Sequence, residues 1–266
     1  AYVADIRDEY EKVRERNAKR RPKAADLSYA EACRRKPVID WTDYTPPRPA
    51  APGLTVFNDY DLQELVDYID WTPFFISWDM SGKYPAIFDD PKRGETARHL
   101  FDDAQAILRR MIDENRVSAR GVIGFWPAHR RGDDIVVYKD EDFTEELTTL
   151  HHLRQQDDKA PDKPMMALSD FIAPKESGIP DYIGGFAVTA GPEADELAKE
   201  YEQANDDYNA IMVKILADRF AEAFAECMHA HVRREYWGYQ PDESLSTEDI
   251  IKERYEGIRP AAGYPA

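Results

Sequence analysis

Glu222 is the residue that fits its surroundings worst. A helical pattern runs from Asp206 to about Tyr236, with an apolar stripe of Tyr208, Ile211, Met212, Ile215 and Leu216. Glu222 follows Ile215 by seven positions and Ile211 by eleven. At about 100° per residue it lies within about 20° of both, so the pattern predicts a carboxylate on the buried side. Such a group needs a cation, hydrogen-bond donors or a wet cleft, because burying it unpaired is costly or raises its pKa. A purely structural pair with Arg219 or Arg233 would also satisfy it. Glu226 and His229 continue the same side and spell Glu-x-x-His. Di-iron carboxylate sites need that motif on two helices. Here it occurs once, so no metal site is expected.

Asp70 is a second anomaly. It closes an apolar-periodic segment, where a helix C-terminus disfavours a carboxylate, and it sits four residues from Val66 at the edge of the apolar face. It either caps the following turn or meets a ligand's hydroxyl or ammonium. A third feature is the stretch Arg259-Pro260-Ala261-Ala262-Gly263-Tyr264-Pro265. Prolines stiffen it, alanines let a ligand reach the backbone, and the guanidinium offers a fork for a carboxylate. His151-His152-Leu153-Arg154 could supply a base, but adjacent side chains diverge and no nucleophile signature stands nearby.

Composition narrows the partners. The 266 residues are 42% hydrophobic and 12% aromatic, enough for a core. A net charge of −17 argues against phosphate backbones and anionic lipid. No apolar run approaches membrane-spanning length, and the first residues lack a signal-peptide pattern. Cys33 and Cys227 are too few for a disulfide framework or a Cys-rich zinc site, so a reduced, cytoplasmic protein is expected.

The elements that would position these residues change period along the chain. Tyr2, Ile6, Tyr10 and Val13 mark a charged helix, followed by a basic run from Arg14 to Lys23. Five prolines between Lys36 and Leu54 make an extended connector. Residues 58–71 and 95–115 read as amphipathic helices, the first ended by Thr72-Pro73. Residues 121–126 and 134–139 read as an antiparallel pair joined by a long turn, and 143–156 is ambiguous. Residues 181–189 read as a strand whose Gly184-Gly185 marks close approach or a bulge. Helices return at 192–205 and 206–236, and a last one, capped by Ser246, runs to Gly257. No strand leads into a dinucleotide or P-loop motif. The order predicts an α+β fold: a single domain with a small, mostly antiparallel sheet packed by long helices, preceded by a helical arm. The boundary falls between an arm with its connector, 1–54, and a body, 55–266.

Three motifs go beyond spacing: YIDWTPFF at Tyr68 to Phe75, LHHLRQQ at Leu150 to Gln156, and GIRPAAGYP at Gly257 to Pro265. Together with WTPFFISWDMSGKYPAI, DDYNAIMVKILADRFAEAFAE and VRREYWGY, they resemble the C-terminal S-adenosylmethionine-binding activation domain of cobalamin-dependent methionine synthase. The resemblance implies a methyltransferase component that presents the methyl group of S-adenosylmethionine to cob(II)alamin, with an electron from flavodoxin or an equivalent reductase. It implies ligand contacts from Asp70, Glu222, Glu253, Arg259, the Ala261 backbone and Tyr264, and no protein nucleophile. Cobalamin would be held by a neighbouring domain of the same enzyme, so this chain alone would not make methionine. The family's domain continues past GYP, so the chain is expected to lack its last segment. The basic run Arg14 to Lys23, or Arg130-Arg131, would receive an acidic flavodoxin. The reading from another class is a non-enzymatic interaction module whose buried acids are structural pairs.

Overall fold

Asp61, Asp70, Asp206 and Ser246 each place a side-chain oxygen on a backbone N–H two or three residues ahead, and each starts a helix. The accepting distances are 2.9, 2.9, 3.1 and 3.2 Å to Gln63, Thr72, Asn209 and Asp249. These caps satisfy donors that a helix N-terminus leaves without partners. The computed structural model describes residues 2–19, 27–157, 159–191 and 193–260. In chain order the elements are α1 (Tyr2–Lys19), α2 (Tyr29–Arg34), β1 (Gly53–Tyr60), α3 (Leu62–Val66), α4 (Trp71–Ser77) and α5 (Gly94–Asp113). Then come β2 (Ala119–Arg131), β3 (Asp134–Tyr138), β4 (Glu146–His151), β5 (Asp181–Thr189), α6 (Glu193–Gln203), α7 (Asp207–His231) and α8 (Thr247–Ile251). A π-helical turn, Val232–Tyr236, extends α7. The mix is the α+β class read from the sequence. No helix among the described residues is long and apolar enough to cross a membrane.

The chain divides into two compact units, one comprising 1–45, 128–180 and 260–266, the other 46–127 and 181–259. In the larger unit β1 runs antiparallel to β2, from Gly53 opposite Phe125 to Phe57 opposite Gly121, and β5 also pairs with β2. Helix α7 packs against α3, α4, α5, α6 and β5. Phe74, Phe75, Ala104, Met111, Met212, Leu216, Phe220 and Phe224 are buried between these elements. Each large apolar side chain so buried stabilises the fold by roughly 1.5–3 kcal/mol. Gly184 marks a close approach, as its neighbours suggested: a Cβ there would stand 2.8 Å from the Phe125 ring.

In the smaller unit the end of β2 pairs with β3, and β3 with β4, all antiparallel. Arg131 faces Asp134, so the turn is the dipeptide Gly132-Asp133, with Gly132 at φ +69°. The long turn expected after Trp126 is therefore strand instead, because β2 carries straight on through Pro127 to Arg131. Arg154 is buried and joins Asp133 at 2.7 Å and Asp170 at 2.7 Å, which accounts for its place in the His-His-Leu-Arg run. Burial pulls the Asp170 carboxyl upward, but Arg154 outweighs it and holds the group below its ordinary value. His151 is exposed and pairs with Asp134.

Three further expectations are corrected. Residues 58–71 are not one helix. Exposure alternates along β1, with Leu54 and Val56 outward, so Asn58 to Tyr60 continue a strand and Asp61 starts a short helix. Thr72-Pro73 does not end a helix but lies in the first turn of α4, where a missing N–H costs nothing. The last helix stops at Ile251 rather than Gly257, with Glu253 at φ +53°.

Candidate functional site

Glu222, Glu226, His229 and Arg233 recur at intervals of four, three and four, and so share one stripe along the end of α7 and its π-helical turn. The segment after α8 lies against this stripe. Arg259 donates from Nη2 to Glu226 Oε1, and both side chains are about a quarter exposed. The Arg233 guanidinium is fully buried, makes two bonds to Glu243 at 2.7 and 2.6 Å, and lies 4.4 Å over the Tyr255 ring. Tyr255 meets the His229 ring edge to face at 4.7 Å. Burial, with Arg233 and Arg259 nearby, pushes the His229 imidazole down to about 3, so the ring is neutral at physiological pH.

Four buried polar atoms here have no protein partner: Glu226 Oε2, His229 Nδ1, Arg233 Nη1 and Arg259 Nε. Such atoms are costly unless something else bonds them. A half-used guanidinium fork beside a half-used carboxylate suits a zwitterion: the fork takes a carboxylate, and the acid takes an ammonium or sulfonium.

The residues singled out in the sequence fall into place unevenly. Arg259 joins the stripe. Glu222 lies one turn before Glu226, but its side chain is 65% exposed and pairs with Arg219 at 2.7 and 3.0 Å. The expectation of a buried Glu222 is corrected, because Tyr208 and Ile211 are themselves 41% and 49% exposed. The buried face runs instead through Ala210, Val213, Leu216, Phe220, Ala223 and Phe224. Asp70 is half-buried and caps α4, a helix that packs on α7. Glu253 is exposed. Asp70, Glu222 and Glu253 make no hydrogen bond or ion pair with one another or with Arg259. Ala261 and Tyr264 lie outside the described residues. In the sequence Glu226 and His229 spell only half of a di-iron motif; the signal that marks them is the four-three-four spacing shared with Glu222 and Arg233. A cavity of about 420 Å³ elsewhere in the unit, beside Trp78, Lys92, His99 and Tyr208, includes none of these residues. Its lining holds no unsatisfied buried charged group, so the α7 stripe is the better candidate.

Residues 61–266 match the model of the vitamin B12 dependent methionine synthase activation domain. The chain belongs to that family. The activation domain is also similar to a solved structure, the crystal structure of the MetH reactivation domain bound to AdoHcy. The two share 48% identity, and the match has a TM-score of 0.87 over 90% of this chain and 73% of that one. The activation-domain match takes in Asp70, the whole α7 stripe, Glu253 and the Arg259 segment.

Proposed function

We propose that this activation domain binds S-adenosylmethionine along the end of α7, with Arg259 holding the ligand carboxylate and Glu226 its ammonium. Asp70, Glu222, Glu253, the Ala261 backbone and Tyr264 are the further contacts proposed, in a functional domain taken as residues 55–266. The carrying observation is the Arg259–Glu226 pair, in which each partner keeps one buried polar atom unbonded. The AdoHcy in the similar reactivation domain supports a ligand of this class.

The activity that follows is that of a methyltransferase component. Cobalamin, held by a neighbouring domain of the same enzyme, would supply the nucleophilic cobalt centre for the methyl group, with one electron from the reductase. S-adenosylmethionine would leave this chain as S-adenosylhomocysteine once its methyl group is given up. This chain's residues orient the sulfonium and exclude water; no side chain has to act as a nucleophile. Neutral His229 lines the stripe without adding a positive charge that would repel the sulfonium.

Flavodoxin, or an equivalent reductase, is the proposed electron donor. Arg130 and Arg131 are already paired with Asp170 at 3.2 Å and Glu146 at 2.8 Å. The exposed Arg14 and Arg16 on α1 are therefore the better docking charges for an acidic partner. Association through them weakens as salt rises.

Isothermal titration calorimetry with S-adenosylmethionine tests the reading directly. A saturable isotherm and a melting temperature that rises with ligand are expected. No heat and no shift at millimolar ligand would leave the stripe as a structural feature.

A further inference from the structure

Cys227 lies one turn from His231 on α7, and Glu64 of α3 reaches both. Cys227 Sγ is 3.7 Å from Glu64 Oε1, and His231 Nε2 is 2.7 Å from the same oxygen. All three ligand atoms lie within 4.8 Å of one another. We infer that Glu64, Cys227 and His231 form a binding site for a thiophilic divalent metal ion, zinc being the occupant that fits one thiolate, one imidazole and one carboxylate. The inference is independent of the ligand assigned to the Arg259 stripe.

Tetrahedral zinc, with bonds of about 2.0–2.3 Å, sets its ligand atoms roughly 3.3–3.6 Å apart. The sulfur and the carboxylate already stand near that separation. The Glu64–His231 hydrogen bond must open by roughly 0.6 Å, and two bonds to the ion replace it. The i, i+4 spacing puts thiol and imidazole on one helix face, and a second helix brings the third donor. Three protein ligands leave the fourth position for water.

The surroundings match what a ligating histidine needs. His231 Nδ1 is 2.9 Å from Glu235 Oε1, a carboxylate–histidine relay that fixes the ring and aims Nε2 at Glu64 and Cys227. The Tyr60 hydroxyl lies 3.5 Å from the Cys227 sulfur. One thiolate and one carboxylate neutralise the dication, so the buried sulfur is not left as a lone charge. On binding, the S–H bond breaks, the sulfur–metal bond forms and the proton leaves to solvent; nothing is oxidised or reduced. The single Glu-x-x-His motif and the scarcity of cysteines give no sign of this site in the sequence. One thiol suffices when a helix and a distant acid supply the rest.

The test uses the full chain, stripped with chelator and titrated with Co²⁺, then Zn²⁺. Expected are a thiolate-to-cobalt charge-transfer band saturating at one equivalent, its loss on adding Zn²⁺, and a melting temperature raised by Zn²⁺. Cys227→Ala should abolish the band, Cys33→Ala should leave it, and Glu235→Gln should weaken binding tenfold or more. No band at stoichiometric cobalt overturns the inference, as does a band that survives Cys227→Ala or vanishes in Cys33→Ala. Should Cys227→Ala fail to fold, His231→Gln decides: unchanged cobalt affinity in that variant rejects the site.

Discussion

Arg259 donates to Glu226, thirty-three positions earlier, and so ties the segment after α8 to the last turns of α7. The pair is at once a structural clasp and the proposed ligand clamp. Arg259→Ala should therefore lower stability by about 1–3 kcal/mol, the cost of a charged hydrogen bond whose partner is left half-buried. Removing both charges, as Glu226→Gln with Arg259→Gln, should recover most of that loss, since neither group is then stranded. S-adenosylmethionine affinity should fall at least tenfold in single and double variants alike. Urea denaturation and calorimetry on the same preparations separate the two roles. A double variant that binds as well as the parent would remove the clamp from the proposal.

Asp70 does one visible thing, capping α4 through Thr72, and is proposed to do another. Serine keeps the cap and loses the charge. Asp70→Ala should cost about 1 kcal/mol, while Asp70→Ser should cost little. Both should weaken S-adenosylmethionine binding if the carboxylate meets the ligand. Full affinity in the serine variant would make Asp70 a cap and nothing more.

Glu222 is the cleaner probe of the exposed end of the stripe. Its pair with Arg219 is solvent-exposed on the Glu222 side, and such pairs contribute little. Glu222→Gln should change stability by no more than about 0.5 kcal/mol. Any loss of ligand affinity in that variant is then a binding effect rather than a folding one. Calorimetry at matched folded fraction is the measurement; an unchanged isotherm would place the ligand elsewhere on α7.

What the sequence revealed, and what it concealed, follows from how far each signal reaches. Helix α5 was readable because Ala97, Leu100, Ala104, Ile107 and Met111 repeat on one face with charges opposite. Helix α7 was readable in extent but not in rotation. It is apolar over most of its circumference, so Ile211 and Ile215 did not define the face that Val213, Phe220 and Phe224 bury. Strand β1 was hidden because its outward residues, Leu54 and Val56, are as apolar as inward ones. Of the site, Arg259 stood out by the loop around it. Glu226 did not, because the arginine that pairs with it is remote in the chain and no local pattern encodes that contact. Arg154 was concealed for the same reason, its partners Asp133 and Asp170 lying on separate segments.

His229 carries the sharpest pH consequence. Its imidazole is 4% exposed, and burial beside Arg233 and Arg259 depresses its pKa to about 3 in the folded chain. In the unfolded chain the ring titrates near the ordinary value of about 6.5. Between these values the unfolded state binds a proton that the folded state refuses, so the stabilising share of neutral His229 is complete above about pH 6.5 and is lost as pH falls toward about 3. The slope from one such group is about 1.4 kcal/mol per pH unit. His129 and His152 are depressed by burial as well and tilt the curve the same way, so the informative quantity is a difference. His229→Leu keeps an apolar contact for the Tyr255 edge and removes the proton-binding site. Urea midpoints from pH 7 to pH 5.5, above the range where most carboxylates titrate, should fall less steeply for His229→Leu than for the parent. Parallel curves would mean that the ring is protonated in the folded chain, with water or a ligand group reaching its Nδ1.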